Sequence, residues 1–202
     1  MVKAPTGYMR RPTTRGFMAP QVVLELFAVV LARLGQAAVD LLRQDTQMKR
    51  LTPATEPVRE DIAARLHQSV KRLFPDQAVV LMREAGQATA DALLATQQSV
   101  RAQAMLNGAP WPIAAWLLGR WARQHDWTFS GSGKFSVVNA LEFDLADNPL
   151  VRGEVAANPA CHWHLALFER LFQRLVSPDL ECREMACIAT GAPACRFVIA
   201  RA

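Results

Sequence analysis

The apolar residues of this chain change their spacing near residue 126, and that change limits what the chain can fold into. Upstream they recur at helical intervals. Val58, Ile62, Leu66, Val70 and Leu73 share one helical face, with Pro57 suited to the first turn and Pro75 as the stop. Residues 19–43 are rich in Leu, Val and Ala and apolar nearly all round. A helix of that kind has to be covered on several sides, and a second subunit is one way to do it, so a homodimer is expected. The segment "QAVVLMREAGQATADALLAT", 77–96, predicts another helix, with Asp76 as its candidate cap. Gly86 in its middle weakens a helix and therefore points to a close helix contact. After the loop signal "NGAP", 107–110, the residues Ile113, Trp116, Leu117 and Trp121 fall on one face of a further helix, and Trp111 does not.

Downstream the pattern turns to strands. "DWTFSGSGKFSVVNALEFDL", 126–145, reads as two short strands around a Gly-Ser-Gly turn. A helix returns over 160–176, where Cys161, Leu165, Phe168, Phe172 and Leu175 form a stripe. "LECREMACIA" and "CRFVIA" then predict a closing hairpin over "TGAPA". Helices first and mainly antiparallel strands later give an α+β fold, with N-terminal helices packed on a small sheet. The first seventeen residues carry Lys3, Arg10, Arg11 and Arg15 and no acid. They read as a flexible basic arm, 1–17, ahead of a single domain, 18–202.

Net charge is +5, and the arm is the one feature that leans towards nucleic acid, so no nucleic-acid partner is expected. Gln21, Glu25 and Arg33 interrupt the most apolar stretch, Phe17 to Leu34. It is a poor membrane span and a poor signal peptide. The expected location is cytoplasmic, with at most peripheral membrane contact. "GSGKF", 131–135, fails as a phosphate-binding loop, because position 128 is Thr and position 135 is Phe. It fails as a dinucleotide fingerprint because position 136 is Ser.

All four cysteines lie in the last fifth of the chain. In a reducing cytosol, clustered cysteines are metal ligands or reactive thiols more often than disulfides. Cys161, Glu184, Cys187 and Cys195 offer three thiolates and a carboxylate, a set suited to tetrahedral zinc. Cys195 shares a strand face with Phe197 and Ile199, which points it inward. Glu184 and Cys187, three apart, point to opposite faces of a straight strand, so the set needs a bulge or bend between them. Cys182 and His164 are alternative ligands by position. Two other readings stand beside the metal: plain buried cysteines, and a nucleophilic thiol near His162.

The segment 148–200 resembles the 4-vinyl-reductase domain family, through a helix opening with Cys, a strand with Glu-x-x-Cys, and Cys-x-Phe seven residues later. The same domain occurs in the sensor part of phenol-responsive transcription activators, and its fold is related to the TRAPP subunits of Golgi transport. The activators' zinc-ligand spacing, 22, 2 and 7 intervening residues, is matched here. The resemblance thus implies structural zinc on Cys161, Glu184, Cys187 and Cys195, and leaves Cys182 outside. The positions corresponding to the activators' phenol-holding His and Trp are Pro112 and Ala140, which does not support phenol sensing. More loosely, nearly the whole chain is similar to the J-type family of bacteriochlorophyll-biosynthesis proteins, described as 4-vinyl reductases or as small subunits of bacteriochlorophyll synthase.

That likeness implies a tetrapyrrole-binding accessory or carrier protein, handling a magnesium porphyrin or chlorophyllide-type intermediate for the bacteriochlorophyll-pathway enzymes. Such a ligand is a flat apolar disc with carboxylate edges. Trp116 and Trp121 are candidate walls, Arg120 and Arg123 candidate carboxylate partners, and His125 a candidate axial ligand to magnesium. The competing reading for the tryptophans is ordinary core, and for the arginines a solvated face. Two alternative functions are an 8-vinyl (formerly 4-vinyl) reductase, which would need a hydride source, and a regulatory small-molecule sensor. The sensor would have to signal through a separate protein, because the chain ends soon after the hairpin.

Overall fold

The computed structural model describes residues 12–48, 53–97 and 100–202. Most of the expected basic arm, up to residue 11, lies outside the described residues. Its last residue, Phe17, already belongs to a short antiparallel ribbon, β1 (Phe17–Met18) on β2 (Val58–Arg59).

The helix expected over 19–43 is two helices, α1 (Gln21–Leu34) and α2 (Gln36–Thr46). Gly35 separates them at φ 82°, in the left-handed region that favours glycine. The chain bends there, and α2 folds back along α1 and α3 (Glu60–Leu73). Val22, Val23, Leu26, Phe27 and Val30 of α1 are buried. The helices α2, α3 and α4 (Ala78–Gln97) of the same chain pack against α1. Most of the apolar girth that suggested a second subunit is thus covered within one chain, while Leu31 near the end of α1 stays exposed. In α3, Leu66 and Val70 are fully buried, while Val58 sits ahead of the helix in β2. Arg59, with extended backbone, is the residue before the first turn, so α3 starts at Glu60 and not at Pro57.

α4 lies along α8 (His162–Leu175), the central helix of the fold. Gly86 is where they come closest: a Cβ there would run into the Trp163 carbonyl oxygen and crowd Ala166 and Leu167 at 3.1 Å. The close contact expected from the sequence is present, and its partner is α8. Bare glycine lets the two backbones meet. α8 is buried on nearly every side, from Trp163 and His164 through Phe168 and Phe172 to Leu175. That is a broader burial than the single stripe expected.

Two further helices, α5 (Val100–Gly108) and α6 (Trp111–Gln124), lead to a short helical turn, α7 (Trp127–Ser130). Four strands follow: β3 (Lys134–Asn139), β4 (Glu142–Ala146), β5 (Leu180–Ala186) and β6 (Ala194–Arg201). They form one antiparallel sheet in the order β3-β4-β6-β5. Residues 126–145 therefore differ from the expected strand–turn–strand. Trp127 to Ser130 is helical, held by Thr128 Oγ1 donating to the His125 carbonyl and Ser130 Oγ donating to the Asp126 carbonyl. The glycines join α7 to β3, and both strands lie beyond them.

α6 turns its smaller residues inward. Ala114, Ala115, Leu118, Gly119 and Ala122 are buried, whereas Trp116 is 55% exposed and Ile113 52%. Gly119 on this face packs on the sheet, where a Cβ would stand in ordinary contact, 3.4 Å from Val137 and 3.6 Å from Phe143. Leu117 and Trp121 are partly buried against the core at the edges of the same face.

Between α8 and the sheet, Phe129, Phe135, Phe143, Phe168, Phe172 and Phe197 form one aromatic core, with centroids 5.0 to 5.8 Å apart. Each fully buried ring stabilises the fold by roughly 1.5–3 kcal/mol. This core fixes α8 over the sheet, and thereby fixes where the first residue of that helix meets the last hairpin.

Candidate metal centre

Three segments converge at that junction. Cys161 ends the incoming loop as the residue just before α8. Glu184 lies on β5, and Cys195 on β6. Along β5, Leu180, Cys182 and Glu184 share the inward side by strict alternation. The pairing of β5 with β6 then slips between Glu184 and Ala186. The extra residue is the bulge that the spacing required, and it brings Cys187 to the inner side as well. On β6, Cys195 alternates inward with Phe197 and Ile199, as expected.

The donor atoms of Cys161, Glu184, Cys187 and Cys195 lie within 4.8 Å of one another, so these four residues can hold a metal ion. Cys161 Sγ is 3.2 Å from Cys195 Sγ and 3.7 Å from Cys187 Sγ, and none of the cysteines is in a disulfide. The Cys161 N–H donates to Glu184 Oε2 at 2.9 Å, and the Ala160 N–H reaches Cys187 Sγ at 3.5 Å. Glu184 Oε1 is buried without a hydrogen-bond partner. A buried carboxylate oxygen without a partner is costly in protein alone. It is what a cation would satisfy.

The electrostatics agree. Burial pushes the Glu184 carboxyl up to about 8. Hydrogen bonds with Cys187 and Cys195, then burial, push the Cys161 thiol well above its usual range. For Cys195 the bond with Cys161 acts downward, but the bond with Cys187 and burial outweigh it and push the thiol up to about 12. Cys187, which receives hydrogen bonds from both other thiols, is held far below the usual range. Burial and mutual proximity thus favour keeping protons on part of the cluster. A divalent ion would displace those protons and take all four groups as anions.

The two alternative ligands lie outside the donor group. His164 Nε2 is 3.0 Å from the Phe129 carbonyl, and His164 Nδ1 is 3.3 Å from Asn148 Nδ2. Cys182 points inward one step along β5, where its N–H donates to Glu169, a residue paired with Arg83. The nucleophile reading lacks the access it needs, since Cys161, Cys187 and Cys195 are all at most 2% exposed. Asn148 was missed at the sequence level. Its signal was the "DNPL" turn, read only as a loop.

The five expected ligand contacts do not form one enclosed pocket. Trp116, Arg120 and Arg123 line a surface depression of about 240 Å³ together with Val137, Val138, Asn139 and Ala140. Trp121 and His125 are stacked on each other, centroids 4.7 Å apart, and His125 Nδ1 is 2.9 Å from the Trp121 carbonyl. The space beside Cys161 among His67, Met82, Trp163 and His164 amounts to only about 10 Å³. That space has no room for a flat tetrapyrrole.

Fold and site together define a protein of the 4-vinyl-reductase domain class: residues 141–201, which include all four donors, match that domain family. The fold is shared with an H-NOX protein from S. oneidensis, at a TM-score of 0.61 and 13% identity over 92% of this chain and 99% of that one. It is also shared with the phenol-responsive sensory domain of the transcription activator PoxR, at a TM-score of 0.51 and 15% identity over 80% of this chain and 89% of that one. Other H-NOX structures that match are described for the distortion of their haem. More specifically, the chain is 42% identical to the bacteriochlorophyll synthase 23 kDa chain of Cereibacter sphaeroides, over 89% of its own length and 88% of that protein. It belongs to the family of the bacteriochlorophyll synthase 23 kDa chains.

Proposed function

We propose that this protein is a zinc-containing accessory protein of bacteriochlorophyll biosynthesis that binds a magnesium porphyrin or chlorophyllide-type intermediate and delivers it to pathway enzymes. The observation that carries this reading is the 42% identity, across nearly the whole chain, to a protein named for bacteriochlorophyll synthase. The H-NOX likeness adds that this fold accommodates a haem in other proteins.

Zinc suits the donor set. Zn–S bonds of about 2.3 Å place sulfurs about 3.8 Å apart along tetrahedral edges, close to the 3.7 Å between Cys161 and Cys187, whereas Cys161 and Cys195, 3.2 Å apart, have to spread to take the ion. Four protein donors leave no open position, so the ion is structural. When bound it supplies charge to hold four anions together and so ties α8 to the last hairpin.

The ligand reading places the edge of the disc on α6. A depression of about 240 Å³ lies below the roughly 300–1,000 Å³ of typical enclosed ligand sites. It suits the carboxylate edge, with Arg120 and Arg123 as ion partners and Trp116 and Val138 as exposed apolar ground beside them. Trp121 and His125 stack on each other and do not line this depression; His125 remains the axial candidate of this reading only for a ligand that extends past it. Any homodimer would use the exposed Leu31 and Leu41 near the α1–α2 bend; a monomeric mass in light scattering would exclude it. The reading places the protein in the cytoplasm. Among the described residues no helix is long and apolar enough to cross a membrane.

The test is a titration of the purified protein with magnesium porphyrins, followed by absorbance, with and without NADPH and a divinyl substrate. Saturable binding without turnover supports the carrier. Turnover would make the protein an 8-vinyl reductase, and the absence of any binding would overturn the ligand reading altogether.

A further inference from the structure

The loop from β4 to α8 carries a buried side chain that the four donors do not include. Asn148 is 0% exposed. Its Nδ2 lies 3.5 Å from Cys161 Sγ, 3.7 Å from Cys195 Sγ and 3.3 Å from His164 Nδ1. Its Oδ1 accepts the Leu150 N–H at 3.1 Å.

The neighbours determine which end of the amide faces the sulfurs. The Leu150 N–H requires an acceptor, which places Oδ1 on that side. His164 Nε2 meets the Phe129 carbonyl, which only accepts, so Nε2 carries the ring proton. Nδ1 is then a lone pair that requires a donor, and Asn148 Nδ2 supplies it. The opposite orientation would set an oxygen against two sulfurs and an imine nitrogen, with every partner repelling it.

The turn is built to aim this side chain. Asp147, just before it, has φ 54°, and it is one of two residues other than glycine with positive φ among the described residues. Such a backbone persists only where its surroundings hold it. Arg152 does so: Nε donates to Asp147 Oδ1 at 2.7 Å and Nη2 to the Asp147 carbonyl at 3.0 Å. The same guanidinium also reaches Ser132 Oγ at 3.1 Å and Glu60 Oε1 at 3.4 Å.

We propose that Asn148 is a positioning residue for the metal: with one amide N–H given to His164, the other is shared between the Cys161 and Cys195 sulfurs, orients them and offsets part of their thiolate charge. Three thiolates and a carboxylate around a divalent ion leave a buried net charge of about −2, by the ordinary charges of these groups. Donors to the ligand atoms are then strong, charge-assisted bonds. Cys187 and Glu184 receive backbone N–H donors from Ala160 and Cys161. Asn148 serves the other two ligands from a side chain. This inference rests on the reading that the four residues hold a divalent ion.

The test uses the full chain, stripped with a chelator and titrated with Co²⁺ by absorbance, and with Zn²⁺ against a chromophoric competitor. Asn148→Ala and Asn148→Asp should weaken metal binding about 10–100-fold, the Asp variant more. The sulfur-to-cobalt charge-transfer band should shift. Arg152→Ala, at an exposed position, should keep the fold and weaken binding severalfold, which keeps the inference testable if the Asn148 variants fail to fold. Wild-type affinity and an unshifted band in folded Asn148 variants, or wild-type affinity in Arg152→Ala, would overturn it. If the wild-type chain itself binds neither ion, the metal reading fails, and the role of Asn148 with it.

Discussion

The donor set at the head of α8 and the tryptophan–arginine face of α6 differ in what holds their side chains. Cys161, Cys187 and Cys195 are buried, lie on three separately anchored segments, and receive hydrogen bonds from the backbone and from Asn148. Trp116, Arg120 and Arg123 project from one helix, largely into solvent, and Arg120 and Arg123 have no ion-pair partner among the described residues. The first region is organised before any ligand arrives. The second can reorient around one. A structural role belongs to the first kind of site and a transient grip to the second, and the two should respond to mutation in opposite ways.

The largest effect is expected from Cys187→Ala. It removes one donor and should abolish stoichiometric metal and lower Tm by about 10 °C or more, as the loss of several kcal/mol does in a domain of this size. Elemental analysis and thermal unfolding on one sample check it. A metal-free variant as stable as wild type would erase the distinction between the two regions.

A second prediction concerns the scaffold beside the donors. His67, buried against the edge of Trp163, has its ring held down to about 3, mainly by burial, against an ordinary value of 6.5. Between those values the unfolded chain takes up a proton that the folded chain does not. The stabilising contribution is complete above about pH 6.5 and is lost progressively as the pH falls toward 3, at up to about 1.4 kcal/mol per pH unit. Denaturant midpoints across that range should fall with acid. The slope should flatten in His67→Gln; an unchanged slope would remove His67 as the cause.

Gly86→Ala sharpens the comparison from the packing side. The new methyl has no room against the Trp163 carbonyl, and α8 would have to move at its first turn, next to Cys161. A loss of about 1–3 kcal/mol is expected, read from the urea midpoint, together with weaker metal binding. Metal binding equal to wild type would mean that the donors tolerate a displaced α8.

The smallest effect on stability is expected on α6. Trp116→Ala and Arg120→Ala should change stability by no more than about 0.5 kcal/mol, as exposed substitutions do. Porphyrin affinity should nevertheless fall about tenfold, in proportion to one lost ion pair or apolar contact. A large drop in stability would reassign this face to the core.

Some of the architecture was legible because it is local. The extent of α4, the close approach at Gly86, and the inward alternation of Cys195, Phe197 and Ile199 follow from spacing and from glycine's missing side chain. The need for a bulge between Glu184 and Cys187 followed from strand parity, and the pairing slips there. The break at Gly35 was missed because the apolar run continues straight through it. The turn 127–130 was missed because aromatic and β-branched residues read as strand until hydroxyls cap them into a helical turn. The inward face of α6 was obscured for a similar reason: large apolar residues are the usual core signal, yet here Ala114, Ala115, Leu118, Gly119 and Ala122 point inward while Ile113 and Trp116 are exposed.

By itself, the order of residues determined the ligand types, their separations along the chain, and the strand faces on which they fall, since each is a matter of chemistry and repeat. Only the folded chain decided that Asn148 stands over two of the sulfurs, that His164 is spent on a carbonyl, and that Trp116 of α6 faces outward. Those outcomes depend on distances between segments far apart in sequence, which packing against α8 and the sheet sets and which no local pattern encodes.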